Sequence, residues 1–140
     1  MVLKLAGTYD SPSFQLPATI LAELNLPFTH LPIDFKKQET KLPQNVAYHP
    51  FGQVPFLIDT SVEPLIPGTS PEGEGFVMYE CRAIAKYLAG KYGEEGGKRL
   101  VPDGRDLREV ALFDQAASVE QNAFLPAAIG ACVEAVWKPV

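Results

Sequence analysis

One hundred and forty residues, 46% hydrophobic and 21% charged, suit one globular domain with a sizeable core, or one domain plus a piece of another. A net charge of −5 speaks against nucleic acid or an anionic membrane as the main partner, and no stretch approaches the roughly 18 consecutive apolar residues of a membrane span. Two cysteines, Cys81 and Cys132, are too few and too far apart for a disulfide framework or a zinc site, so no metal is expected.

The opening "MVLKLAGTYD" lacks the long apolar core of a signal peptide, and a cytoplasmic location is the expectation. Within it, "VLKLAG" (2–7) reads as a first strand closed by Gly7. A helix face follows in Leu16, Ile20, Leu21 and Leu24, with Ser11 or Ser13 available as its cap. Pro17 fits a helix only in the first turn, which predicts a start near Ser13. "FTHLPID" (28–34) reads as a second strand and "VPFLID" (54–59) as a third, with a polar stretch and a short helical piece between them. "FVMY" (76–79) is a fourth strand. Residues 60–75, "TSVEPLIPGTSPEGEG", are rich in proline, glycine and glutamate and form a loop far longer than a usual hairpin connection.

From Glu80 the spacing of Cys81, Ile84, Ala85, Leu88 and Tyr92 draws one apolar helix face, expected to run to about Tyr92. Glu80 and Cys81 fall at its start, where free backbone N–H groups and the dipole favour anions. Cys81 is either the first packed residue of that face or part of a site for a ligand carboxylate, and the two are compatible. "GEEGGKRLVPDGR" (93–105) reads as a linker. "DLRE" from Asp106 resembles a capping box, and the chain reads as helical from there to about Lys138, with Pro126 as a kink. Phe124 and Trp137 are expected to pack. The order βαβαββα predicts a mixed sheet flanked by helices.

"NVAYHPFGQVPFLID" followed by "YECRAIAKYLAGKYG" resembles the glutathione transferase family, in which a "NPxGQVPxL" run precedes "ESRAI" and a helix. "FKKQETKLP" before it and "DLREVALFDQAASVEQNAFLP" after it extend the resemblance to nearly the whole chain, and the phi-like and fungal branches are nearest. The resemblance implies an α/β fold: a thioredoxin-like glutathione-binding domain over 1–92, a linker over 93–105, and over 106–140 the first helix of an all-α domain that in the family has several. It further implies a cis bond between Val54 and Pro55 that turns the Val54 backbone towards glutathione. Gln53 would hold the γ-glutamyl part, Glu80 its ammonium, the residue at Cys81 its carboxylate, and Lys41 the glycyl carboxylate. A serine four residues beyond the glycine ending the first strand would stabilise the glutathione thiolate; here that is Ser11, with Ser13 and Tyr9 as the other candidates.

Several features depart from the family pattern. Cys81 stands where the family has serine, "LP" at 16–17 replaces an arginine and a valine, and the 60–75 loop is inserted between paired strands. Read as a solvated charge, Lys41 needs no ligand, and the runner-up reading of Ser11 is an ordinary turn or cap residue. His30 and His49 read as structural. The implied function is conjugation of glutathione, as co-substrate, to a small electrophile. The alternative is a non-catalytic interaction or regulatory protein on the same fold, with a glutathione-dependent peroxidase or isomerase as a third option. The last helix carries more apolar surface than one side of a small domain can cover, which predicts a homodimer or higher even oligomer, and the small residues Ala116, Ala117, Ala127, Ala128 and Ala131 would allow close helix approach.

Overall fold

The computed structural model describes residues 2–66, 68, 70–94 and 97–138, without the side chains of Val136 and Trp137; the expected packing of Trp137 therefore lies outside the described residues. Two compact units divide the chain, Met1–Leu100 and Val101–Val140. The first holds β1 (Leu3–Gly7), α1 (Pro12–Glu23), β2 (Phe28–Pro32), a 3₁₀ turn (Glu39–Lys41), α2 (Pro43–Val46), β3 (Phe56–Asp59), β4 (Phe76–Tyr79) and α3 (Cys81–Tyr92). Its four strands lie in the order β2-β1-β3-β4. β1 runs parallel to β2 and antiparallel to β3, and β3 pairs antiparallel with β4 through register pairs from Phe56↔Tyr79 to Asp59↔Phe76.

Alternation along the central strands divides the core in two, because successive side chains point to opposite faces of the sheet. Leu3, Leu5 and Leu57 meet Phe14, Leu21 and Leu24 of the α1 region and Ile84, Leu88 and Tyr92 of α3 on one face. Ala6, Phe56 and Ile58 point the other way, towards Ile33, with Tyr48, Val77 and Tyr79 packed alongside. Both faces being covered, β3 is buried at every position and reads as a continuous apolar run.

α1 starts within one residue of the expected Ser13, but Pro17 does not fall in its first turn. The helix begins at Pro12, so Pro17 lies inside it, fully buried. Pro17 removes one backbone donor to the carbonyl of Ser13, and its ring is packed into the core in compensation. Ser11 occupies the N-cap position, yet its side chain makes no cap hydrogen bond.

The inserted loop is tied at its base. Phe76 N–H donates to the Val62 carbonyl at 2.8 Å, and Lys4 Nζ meets Glu74 Oε2 at 2.7 Å. Ser70 is buried, its hydroxyl accepting from Glu74 N–H, whereas Leu65 and Ile66 stand in solvent.

At the end of β3 a buried carboxylate closes the domain. Asp59 accepts from Ser61, from Lys91 Nζ at 2.7 Å, and from the hydroxyls of Tyr87 and Tyr92 at 2.7 and 2.6 Å. Burial alone would raise its pKa, but the bonds from Lys91, Ser61 and the tyrosines hold it well below the usual carboxylate range. Tyr87 is pushed up to about 12, by burial and by the bond it donates to Asp59. Burial works against the Lys91 ammonium, yet its bonds to Asp59 and the tyrosines raise its pKa overall.

The second unit is a single helical run: α4 (Leu107–Val119), a π-helical turn (Glu120–Phe124), α5 (Leu125–Cys132) and a second π-helical turn (Val133–Trp137). Asp106 caps α4 by accepting from Arg108 N–H. The first wide turn ends two residues before Pro126, whose ring would crowd the Asn122 carbonyl in a regular helix; widening the turn relieves that clash. Phe124, expected to pack, is 65% exposed, since this unit's described residues form one helical run with no second layer.

Candidate glutathione site

Strand register brings the candidate residues to one end of the sheet. Ala6 of β1 faces Phe56 of β3, and Phe56 faces Tyr79 of β4. One step beyond those pairs stand Gly7, Pro55 and Glu80. From this end the chain enters the loop carrying Ser11, leaves the cis Val54–Pro55 peptide bond and starts α3 at Cys81. The N-termini of α1 and α3, each twelve residues long, therefore both open at this end, with unsatisfied backbone donors and the positive ends of their dipoles.

Glu80 holds φ 73 and ψ 107, an unusual conformation for a residue with a side chain. Its carboxylate is exposed and makes no cap bond to α3. Cys81, half-buried, occupies the first helical position, with Arg82 Nη1 at 3.7 Å from its sulfur.

Lys41 lies at the end of the 3₁₀ turn and donates from Nζ to the Phe51 carbonyl at 2.9 Å. Gly52 makes room for it: at φ +58, a Cβ there would stand 2.8 Å from Lys41 Cδ and 3.0 Å from its Nζ. Gln53 follows directly, exposed. Lys41, Gln53, Val54 and Pro55 are thus linked by one turn, with the ammonium close to the backbone that precedes the cis bond.

His49 joins this turn to Glu80. It is 2% exposed and stacks on Tyr79 at 4.6 Å, and among the described residues its Nδ1 has no hydrogen-bond partner. Burial pushes the imidazole pKa below the ordinary histidine value; Glu80 pulls it up and Lys41 pulls it down. Both charges therefore lie within electrostatic reach of the ring. His49 stands where the family run has asparagine, and that single letter was the available signal for a residue which reads from sequence as merely structural.

Ser11 is half-buried in the turn between β1 and α1; its N–H donates to the Thr8 carbonyl and its carbonyl accepts from Phe14 and Gln15. Ser13 is exposed within α1. Tyr9, 56% exposed, packs edge-on against Phe14 and His30. A cleft of about 570 Å³ opens beside this turn, lined by Thr8, Tyr9, Asp10, His30 and Phe35 among others. Among the described residues, no group of three or more His, Cys, Asp or Glu side chains is placed to hold a metal ion.

Such a site can receive a short zwitterionic peptide. Lys41 supplies a cation, Glu80 an anion, the α3 N-terminus backbone donors for a carboxylate, and Ser11 a hydroxyl uncommitted to capping its helix.

A four-stranded mixed sheet with α1 and α3 on one face, and a cis-proline at the head of β3, defines a thioredoxin-like domain. Residues 5–96 match the family model for the glutathione S-transferase N-terminal domain. The chain is 36% identical over 128 residues to glutathione S-transferase hmp2 of Hypomyces subiculosus, covering 91% of this chain and 52% of that protein. It is 35% identical over 138 residues to glutathione S-transferase PM239X14 of Arabidopsis thaliana, covering 98% and 56%. Among solved structures, poplar glutathione transferase F1 superimposes with a TM-score of 0.79 at 27% identity, over 100% of this chain and 58% of that one. Maize glutathione S-transferase I, in complex with an atrazine glutathione conjugate, gives 0.77 at 30% identity, over 98% and 55%. The chain belongs to the glutathione S-transferase family. It spans about half the length of the curated relatives it matches.

Proposed function

We propose that this chain binds glutathione at the sheet end formed by Gly7, Pro55 and Glu80 and, in the working protein, conjugates it to a small electrophile. Gln53 and Glu80 hold the γ-glutamyl part, the Cys81 N–H its carboxylate, and Lys41 the glycyl carboxylate. The Val54 backbone, next to Pro55, pairs with the peptide. Ser11 donates to the sulfur, and the N-terminal potential of α1 adds to it; together they favour the thiolate, which is the nucleophile. Residues 1–92 form the glutathione-binding domain, 93–105 the linker and 106–140 the opening of the helical domain. Two copies pair through the long helical run, and the protein works in the cytoplasm in detoxification.

One observation carries the reading: a cis Val54–Pro55 bond and an exposed Glu80 stand side by side at the sheet end from which the Ser11 turn departs. The relatives' names and the glutathione conjugate bound to the maize structure support it. Calorimetric titration of glutathione into the chain, followed by a turnover assay with a generic aromatic electrophile, tests binding and chemistry separately. Binding without turnover would favour the non-catalytic interaction protein.

A further inference from the structure

We infer that His30 is the positioning residue of the Ser11 turn, acting on the Gly7 carbonyl and on the rings that flank the serine. The inference rests on the reading of Ser11 as the hydroxyl that stabilises the thiolate.

His30 sits on β2 opposite Leu5 in register. Its Nε2 lies 2.8 Å from the Gly7 carbonyl oxygen. A carbonyl only accepts, so Nε2 carries the hydrogen. The same oxygen also receives Ile33 N–H at 3.1 Å, which occupies both of its lone pairs. Gly7 is the last residue of β1 and lies at φ +147, where an added Cβ would meet the Phe14 ring at 2.5 Å. The peptide plane from which Thr8, Tyr9 and Asp10 depart is thereby fixed by His30, Ile33 and Phe14 together.

Two ring contacts extend this hold to either side of Ser11. The imidazole centroid is 5.0 Å from Tyr9 and 5.1 Å from Phe14, and those two rings are themselves 4.9 Å apart, edge to face. From the helix side, Gln15 Nε2 donates to the Tyr9 carbonyl at 2.8 Å. Among the described residues, His30 reaches the segment 7–15 from β2 with both a donor and a ring. Tilting the Gly7–Thr8 plane would move Ser11, with the α1 N-terminus whose N-cap position it holds, relative to the sheet end where Pro55 and Glu80 stand, and misplacement by about 1 Å costs up to about a hundredfold in positioned chemistry.

His30→Phe keeps the ring and removes the donor; His30→Gln keeps a donor at the reach of Nε2 and removes the ring. In His30→Phe the Ser11 amide should exchange with solvent about tenfold faster, since its bond to Thr8 would open more often. The thiol of bound glutathione, titrated by thiolate absorbance, should rise by about half a unit to one unit while affinity changes less than about twofold. His30→Gln should recover most of both. In the Ser11→Ala background, His30→Phe should leave the thiol titration unmoved. An unchanged Ser11 amide, an equal further shift in the Ser11→Ala background, or a loss of affinity in step with the thiol shift would each overturn the inference. If Ser11→Ala is silent while the Ser11 amide still loosens in His30→Phe, the serine mechanism fails and the positioning of the turn stands. The unmutated protein gives a check that needs no variant: nitrogen NMR should find the His30 hydrogen on Nε2, and an Nε2 without hydrogen would sink the inference.

Discussion

Ser11 sits at the N-cap of α1 with a hydroxyl that bonds no amide of the first turn, and that is the feature a thiolate donor needs. On the proposed reading, Ser11→Ala should lower the conjugation rate of the working protein by about a hundredfold while glutathione affinity moves little, because the hydroxyl would act chiefly on the reacting anion. Ser13→Ala, on the exposed side of the helix, should do far less; steady-state rates alongside calorimetric affinities decide between them, and equal losses would reject the assignment. Cys81 presents its N–H at the first position of α3 while its thiol lies beside Arg82. A hydroxyl is a better donor than a thiol, so Cys81→Ser should leave glutathione binding intact or tighten it by about 0.5–1.5 kcal/mol. A clear weakening, read by the same titration, would mean that the sulfur itself makes the contact. Gly52 gives a third test at this scale. Gly52→Ala would drive a methyl group into Lys41 and strain a left-handed backbone, so it should weaken glutathione binding more than it weakens binding of an analogue lacking the glycyl carboxylate.

Elements were legible where periodicity and punctuation agreed. β4 matched its four-residue run, and α3 followed the spacing of Ile84, Ala85, Leu88 and Tyr92. β3 was expected from Val54 but begins at Phe56, because the cis Val54–Pro55 bond precedes the ladder and Pro55 has no N–H to donate to it. The start of α1 falls within one residue of the expected Ser13, but Pro17 lies beyond its first turn; burial of its ring against the core overrides the lost backbone bond, and no local rule carries that information. His49 and His30 escaped for a related reason: their importance comes from what β2, β4 and the turns bring beside them. The Asp59 cluster joins β3 to α3, and its removal can be predicted with a sign. Asp59→Asn leaves the Lys91 ammonium without its carboxylate and should cost about 2–3 kcal/mol, less than a fully buried pair because Lys91 is 30% exposed. The Asp59 pKa is depressed in the folded state, so its contribution is full above the unfolded value near 3.9 and is lost as pH falls below it. Urea unfolding at pH 7 and pH 3 should therefore show the wild type losing more stability than Asp59→Asn on acidification. At the alkaline end, Tyr87 holds its proton up to about 12, so its contribution is full below the unfolded value near 10 and is lost as pH rises past it.

For the whole molecule, the helical run presents Leu112, Val119 and Phe124 at 67%, 57% and 65% exposure, beside a groove of about 520 Å³. Apolar side chains left in water forgo about 25 cal/mol per Å², and pairing two copies through this run would cover them. Sedimentation equilibrium at micromolar concentration should accordingly return a dimer or higher even oligomer, and a stable 15.3 kDa monomer would reject the pairing. In the other unit, Lys41, Gln53, the Val54–Pro55 bond, Glu80 and the start of α3 are proposed to form one glutathione site. Titrating glutathione into the chain, with amide signals followed in parallel, tests it most directly. Saturable heat with one site per chain is expected, with shifts at Gln53, Val54 and Glu80 and about tenfold weaker binding in Glu80→Gln, where the charge-assisted bond to the ligand ammonium would be lost. Saturating glutathione that releases no heat and leaves those three amides unmoved would contradict the proposed site.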